Sequence, residues 1–282
     1  MDILTDIYSL KQLLSTYKSK GKSIGFVPTM GALHDGHLFL VNLAQKDCDI
    51  VVCSIYINPT QFNDSNDLEN YPVTIEQDIK LLKTQKCDIL FMPSHDEMYP
   101  EGLKTNNFEL NNIDKVLEGS KRPGHFDGVC TIVHRLFSIV EADYAYFGEK
   151  DFQQLAIIKQ VVKSLSLPIK IKSGETVREN DGLAKSSRNT LLTKEERQIA
   201  PLIYKSLMKA KLAYNKSSYE ELKKMIIDDI NNAKGMELDY VEIVNPSSFN
   251  PLKNKTENDQ AIALIAVFLG NIRLIDNLSL ND

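Results

Sequence analysis

The run DIVVCSIYI, Asp49 to Ile57, constrains the chain most. It is almost continuously apolar and rich in β-branched residues, the signature of a strand buried on both faces. Such a strand needs cover on each side, and the sequence around it supplies that cover. SIGFVP (Ser23 to Pro28) reads as a strand and His37 to Lys46 as a helix. Thr74-Ile-Glu-Gln77 reads as a capping box opening a helix through Lys86. DILFMP (Asp88 to Pro93) is the next strand. A helix over about Val129 to Val140, a strand at Tyr144 to Phe147, a helix at Phe152 to Ser164 and a strand at Ile169 to Ser173 complete the series. Strands alternating with helices predict an α/β fold built on a doubly wound parallel sheet.

The tail reads differently. Thr193-Lys-Glu-Glu196 is a capping box that opens a long helix to about Tyr214, and Ser218 with Glu221 opens another to about Ala233. Three strand-like stretches follow: ELDYVEIV, AIALIAVFL and IRLIDN. Gly270-Asn271 between the last two fits a hairpin turn. The polar segment NPSSFNPLKNKTEND before those two reads as a loop. We expect residues 1–176 to form a Rossmann-like domain and residues 177–282 a smaller α+β domain.

Charge and composition exclude several classes. With 33 Lys and Arg against 38 Asp and Glu, the net charge of -5 argues against a broad nucleic-acid footprint. The opening MDILTDIYSLKQLL has acids where a signal peptide carries basic residues. No apolar run approaches the ~20 residues of a membrane helix, so a cytoplasmic protein is expected. Cys48, Cys53, Cys87 and Cys130 form no C-x-x-C pair and read as small reduced residues of the interior.

Ligands of doubly wound sheets bind beyond the carboxyl ends of the strands. TMGALHDGH, NPTQF and FGEKD each begin where an apolar strand run stops, so all three are expected on one rim. His34 and His37 read three ways: as surface residues, as a metal pair without a third ligand, or as a phosphate site. Gly31 and Gly36 permit close backbone approach, and a helix start offers open N–H groups and a positive dipole end. An imidazole there would shed its proton until a phosphate restores it. GLAKSSRN, Gly182 to Asn189, sets Lys185 and Arg188 around Ser186 and Ser187. This is either a solvated loop or a clamp on a polyphosphate. In FGEKD, Lys150 is suited to neutralise phosphate charge. Asp151 is suited to cap the next helix or to help hold a metal–nucleotide complex.

VPTMGALHDGH, SIYINPTQF, YP-x-T, GHFDGV, YFGEKDFQQL and DGLAKSSRN occur in this order, with GNIRLIDN near the end. Together they resemble the pantoate–β-alanine ligase family, within the H-x-G-H nucleotidyl-transfer superfamily that includes class I aminoacyl-tRNA synthetases. The resemblance implies that ATP, accompanied by Mg2+, reacts with pantoate to give pantoyl adenylate and pyrophosphate. β-Alanine then displaces AMP to give pantothenate. It implies that Met30, Gly31, Ala32, Leu33, His34, Asp35, Gly36 and His37 line the nucleotide, with His37 as catalytic acid beside His34. Gly148, Glu149, Lys150, Asp151, Val177, Lys185, Ser186, Ser187 and Arg188 would complete the nucleotide site, Lys150 and Arg188 among the catalytic groups. Gln61 and Gln154 would hold pantoate, Gln61 also near β-alanine. No protein metal ligand is implied; a homodimer is. Water would destroy the adenylate, so the small C-terminal domain is expected to act as a lid.

The chemistry agrees with those assignments. Bringing a carboxylate onto a triphosphate sets anion against anion, which cations must offset. Neutral amides orient a nucleophilic carboxylate without tying it into an ion pair. Two positions depart from the family pattern: Val73 stands where arginine is common in YP-R-T, and Lys185 where an apolar residue usually precedes SSR. Other readings are a nucleotidyltransferase acting on a second phosphate, for which Gln61 and Gln154 lack charge, and a nucleotide-binding sensor or scaffold without turnover. A short, acidic chain with no evident tRNA-binding domain argues against a synthetase.

Overall fold

The computed structural model describes residues 1–256 and 259–281. Of the polar loop read before the last two strands, residues 257 and 258 lie outside the described residues. Two compact units emerge: Met1–Glu149 with Gln153–Glu175, and Lys150–Phe152 with the described residues from Thr176 on.

The first unit is built on a six-stranded sheet of β1 (Asp2–Leu4), β2 (Ile24–Thr29), β3 (Ile50–Ile55), β4 (Ile89–Phe91), β5 (Tyr144–Gly148) and β6 (Lys170–Gly174). Its spatial order is β1-β4-β3-β2-β5-β6, and every pairing is parallel. All six residues of β3 are buried, as its composition demanded. Ile50 and Val52 pack on one face with Leu10, Leu14, Val133 and Phe137, from the helices Ile7–Lys18 and His125–Val140. Val51, Cys53 and Ile55 pack on the other with Val41, Ala44 and Leu82, from the helices Asp35–Asp47 and Ile75–Thr84. The sheet is therefore doubly wound. Strand order reverses between β2 and β5, the switch point where such sheets bind ligands.

Aspartates tie the amino ends of neighbouring strands. Asp88 accepts from the Val51 N–H (2.8 Å) and Asp143 from the Ile24 N–H (2.7 Å). Asp49 accepts from the Ser23 N–H (3.0 Å) and hydroxyl (2.9 Å) and pairs with Lys22 (2.8 Å).

The second unit is an antiparallel sheet of β7 (Met236–Val244), β8 (Ile262–Leu269) and β9 (Ile272–Ser279), with β8 in the middle. Gly270, at φ +57°, turns β8 into β9 as the hairpin reading required. The helices Leu202–Ala213 and Tyr219–Asn231 cover the sheet through Ile203, Leu207, Leu222, Ile226 and Ile230. Both C-terminal capping boxes form, at Thr193 and Ser218.

Three expectations are corrected. The long helix from Thr193 breaks into Lys194–Ile199 and Leu202–Ala213, because Pro201 has no N–H to continue the ladder. The helix expected from Val129 begins a turn earlier, at His125, behind Gly124 in the left-handed region at φ +81°. The capping box at Thr74 does not form: its hydroxyl donates to Asp78 Oδ1 (3.0 Å). The strand Asp2–Leu4 and helix Ile7–Lys18 were not anticipated.

The Lys22 ammonium and hydrogen bonds from Ser23 hold the Asp49 carboxyl down at about 2. A lowered folded-state pKa adds stability that is present above the unfolded value of about 3.9 and is lost as pH falls toward 2. Asp49→Asn should therefore lower the urea midpoint at pH 6, with the gap to the native protein closing between about pH 4 and pH 2. A gap independent of pH would contradict this.

Candidate active site

β2 stops at Thr29, whose hydroxyl donates to the Ser54 carbonyl (2.7 Å) and accepts from the Gly31 N–H (3.2 Å). Gly31 (φ +82°) and Ala32 (φ +47°) both lie in the left-handed region. For alanine that conformation costs roughly 1–2 kcal/mol. The next two N–H groups, of Ala32 and Leu33, donate to the buried carboxylate of Asp78 (2.9 and 2.8 Å). This turn delivers His34 as the N-cap of the helix Asp35–Asp47.

His34 and His37 cap that helix reciprocally. The Gly36 N–H donates to His34 Nδ1 (3.1 Å), and the His34 N–H donates to His37 Nδ1 (3.3 Å). Imidazoles here do what a hydroxyl and a carboxylate do in an ordinary capping box. A nitrogen that accepts carries no proton, so each ring is the neutral tautomer protonated at Nε2. The rings lie 4.0 Å apart, tilted by 32°. The turn thus offers two neutral imidazole donors at a positive helix end.

This corrects two expectations. The N–H groups of Ala32, Leu33, Gly36 and His37 are all engaged within the protein, His37 with the His34 carbonyl (2.8 Å), so anion recognition does not fall to them. A phosphate that restored a second proton to either ring would have to break the cap, since Nδ1 is its acceptor.

Gln61 ends the short turn Pro59–Gln61 beyond β3. Its orientation is set by Asn58, which is 1% exposed and uses every hydrogen-bonding position. Asn58 Oδ1 accepts from Tyr99 Oη (2.7 Å) and Thr60 Oγ1 (3.1 Å). Its Nδ2 donates to the Gly128 carbonyl (3.1 Å) and to Gln61 Oε1 (3.2 Å). Burial pushes the Tyr99 phenol up, which keeps it a donor. Gln61 therefore turns its oxygen to Asn58 and keeps Nε2 as the donor end, 2.8 Å from Met30 Sδ.

The GHFDGV motif explains itself from behind this loop. His125 Nδ1 donates to the Gln61 carbonyl (2.7 Å), and Arg122 Nη1 donates to His125 Nε2 (3.1 Å). A Cβ on Gly128 would lie 2.2 Å from the Thr60 carbonyl oxygen, so only glycine lets the helix come this close. Of the paired glutamines, Gln154 is half-buried and its side chain makes no hydrogen bond among the described residues. Gln153 is buried and braces 113–118, accepting from the Glu118 N–H (3.0 Å) and donating to the Ile113 (2.7 Å) and Val116 (2.8 Å) carbonyls. Glu149 accepts from Ser173 Oγ (2.7 Å). Val73 is 65% exposed.

The second unit holds the other predicted residues. The Lys150 carbonyl accepts from Asn277 Nδ2 (2.9 Å). Asp151 was expected to cap a helix. It lies instead in a 3-10 turn, Glu149–Asp151, that runs straight into the helix Phe152–Ser164, and its carboxylate sits 3.7 Å from Lys150 Nζ. The Lys185 N–H donates to the Val177 carbonyl (2.9 Å), closing a loop. Within that loop Arg178 makes a bidentate pair with buried Asp276 (2.6 and 2.9 Å) and stacks 3.9 Å over the Tyr204 ring. Glu179 holds the Lys185 ammonium at 3.0 Å. Ser186 Oγ accepts from the Arg188 N–H (3.3 Å), capping the turn that begins with buried Ser187.

Sequence reasoning missed Asn58, His125 and Asp78. The first two stand inside motifs quoted for other residues. Asp78 had no local signal for its hold on the turn, because the amides it accepts from lie at Ala32 and Leu33. The four cysteines are free thiols, and no helix among the described residues is long and apolar enough to cross a membrane.

A parallel sheet whose switch-point strand feeds a histidine-capped helix defines a Rossmann-like architecture. The family description "Pantoate-beta-alanine ligase" matches residues 2–279. A pantothenate synthetase of Porphyromonas gingivalis W83 is 44% identical over 282 residues, covering both chains fully. One from Acetivibrio thermocellus is 46% identical over 281 residues, covering 99% of each. The crystal structure of the Thermus thermophilus pantothenate synthetase superposes with a TM-score of 0.93 at 38% identity, covering 100% of each chain. The Francisella tularensis pantoate-β-alanine ligase, complexed with β-γ ATP and β-alanine, gives 0.82 at 37%, covering 99% of this chain and 98% of that one. The chain belongs to the pantoate–β-alanine ligase family.

Gly128→Ala should force the helix His125–Val140 away from Thr60 and destabilise the protein by about 1–3 kcal/mol, the usual cost of overpacking. Urea unfolding measures it; an unchanged midpoint would show that the approach is not tight.

Proposed function

We propose that this protein condenses pantoate with β-alanine to pantothenate through pantoyl adenylate, consuming ATP and releasing AMP and pyrophosphate. The observation that carries the reading is the pair of neutral imidazole donors at the switch point. It stands in a chain whose family resemblance runs from residue 2 to residue 279.

In the first step a carboxylate oxygen of pantoate forms a bond to the α-phosphorus, and the bond to pyrophosphate breaks. Charge moves onto the bridging and leaving oxygens. Nε2–H groups of His34 and His37 are suited to donate there without first shedding or gaining a proton. Lys150 and Arg188 supply positive charge, with Ser186, Ser187 and the loop beginning at Val177 as further nucleotide contacts. Met30 to His37 and Gly148 to Asp151 complete that set. Magnesium enters bound to ATP, as part of the substrate. Gln61, with its donor end fixed by Asn58, binds a pantoate oxygen without neutralising the nucleophile, and Gln154 is its counterpart. In the second step the β-alanine amine attacks the acyl carbon, AMP departs, and the amide remains. Water would destroy the adenylate, so we assign the C-terminal unit the part of a lid. The enzyme is expected to be a cytoplasmic homodimer.

A sensor that binds nucleotide without turnover needs affinity alone and has no use for donors aimed at a departing oxygen. Exchange of labelled pyrophosphate into ATP separates the two readings, run with magnesium and pantoate but no β-alanine. The ligase requires pantoate-dependent exchange, lowered roughly 10²- to 10³-fold in His37→Ala, as when one preorganised donor is removed. ATP binding without any exchange would favour the sensor.

A further inference from the structure

Asp78 stands apart from every other acid in the first unit. Its side chain is fully buried, and among the described residues it forms no ion pair. A buried carboxylate is costly unless hydrogen bonds replace its water. Three do: the Ala32 N–H reaches Oδ2 (2.9 Å), while the Leu33 N–H (2.8 Å) and Thr74 Oγ1 (3.0 Å) reach Oδ1. The two amides are consecutive and belong to the turn between β2 and the histidine-capped helix. Only a group with two adjacent acceptor oxygens satisfies both at once. An asparagine offers one oxygen and turns its NH2 against the other N–H.

The backbone shows what those bonds hold. Ala32 sits at φ +47°, where alanine does not rest without help. Gly31 sits at φ +82°, and a Cβ there would meet Ile55 Cγ2 at 3.0 Å and Asp78 Oδ2 at 3.2 Å, so Ile55 and the carboxylate together take the space a side chain would need. His34 follows two residues after Ala32, and its backbone N–H is the one capped by His37. The helix Ile75–Thr84 places Asp78 in its first turn, where a negative charge suits the dipole. Thr74, at that helix's N-cap, spends its hydroxyl on Asp78 rather than on the cap.

We propose that Asp78 is a positioning residue for the adenylation step: its carboxylate holds the Ala32–Leu33 turn in the strained conformation that registers the His34 and His37 imidazoles. The proposal rests on the reading that this turn serves the nucleotide. A displacement of the donors by the order of an ångström costs about 10²-fold in rate.

The test is pantoate-dependent pyrophosphate exchange in the full-length protein at a temperature far below melting. Asp78→Asn should lose about 10²-fold in exchange rate, chiefly in kcat. Thr74→Val, which removes a bond to the same carboxylate but leaves the two to the turn, should stay within a few-fold of the native rate. In a His37→Ala background the Asp78→Asn loss should shrink, because one of the two groups it positions is gone. Should Asp78→Asn fail to fold, Asp78→Glu keeps two acceptors but shifts them by a methylene, and it should lose at least tenfold while folded. Native exchange in folded Asp78→Asn or Asp78→Glu would overturn the proposal, as would a loss that simply tracks the melting shift across Asn, Glu and Thr74→Val. A native protein that shows no exchange at all would instead overturn the nucleotide reading on which this one rests.

Discussion

The reciprocal cap between His34 and His37 is the interaction on which the rest of this site depends. A helix start leaves N–H groups without partners, and most helices meet them with a hydroxyl and a carboxylate. Using two imidazoles satisfies the same groups and at once decides the chemistry. Each ring loses its freedom of tautomer and keeps one N–H donor. A carboxylate at the third helical position would have filled the cap equally well and repelled a triphosphate.

The surrounding fold makes that cap possible. β3 is sandwiched between two layers of helix, and the loop that follows it is held from behind by His125 and Gly128, to which its own Asn58 is bonded. None of these needs to touch a substrate to matter. Asn58 has no unused hydrogen-bonding position, so the amide of Gln61 has only one orientation that leaves nothing buried and unpaired. The second unit follows the same logic on its own residues. Arg178 is fixed by Asp276 and Tyr204, and Lys150 is tied to β9 through Asn277.

What could be read in the sequence follows from the range of the interaction concerned. β3 was legible because burial on both faces leaves a continuous apolar run, and the β8–β9 turn because Gly270 needs a positive φ. The capping boxes at Thr193 and Ser218 are local patterns and formed; the one at Thr74 failed because Asp78, one turn on in the same helix, took the hydroxyl. β1 has three residues at a sheet edge, too few to show a period. The histidines were legible as a pair, yet their tautomers were not, since these follow from backbone geometry. Asp78 lies 46 residues from Ala32, and Arg178 lies 98 from Asp276. No window of local sequence joins such partners.

The most direct test of this account is the protonation pattern of the two rings, read by long-range 1H–15N correlation on the 15N-labelled protein at neutral pH. The account predicts that His34 and His37 are both neutral, with the proton on Nε2 and an unprotonated, hydrogen-bonded Nδ1. An Nδ1–H tautomer at either residue, or a doubly protonated ring, would mean that the imidazoles do not cap the helix, and the donor geometry derived from the cap would fall with it.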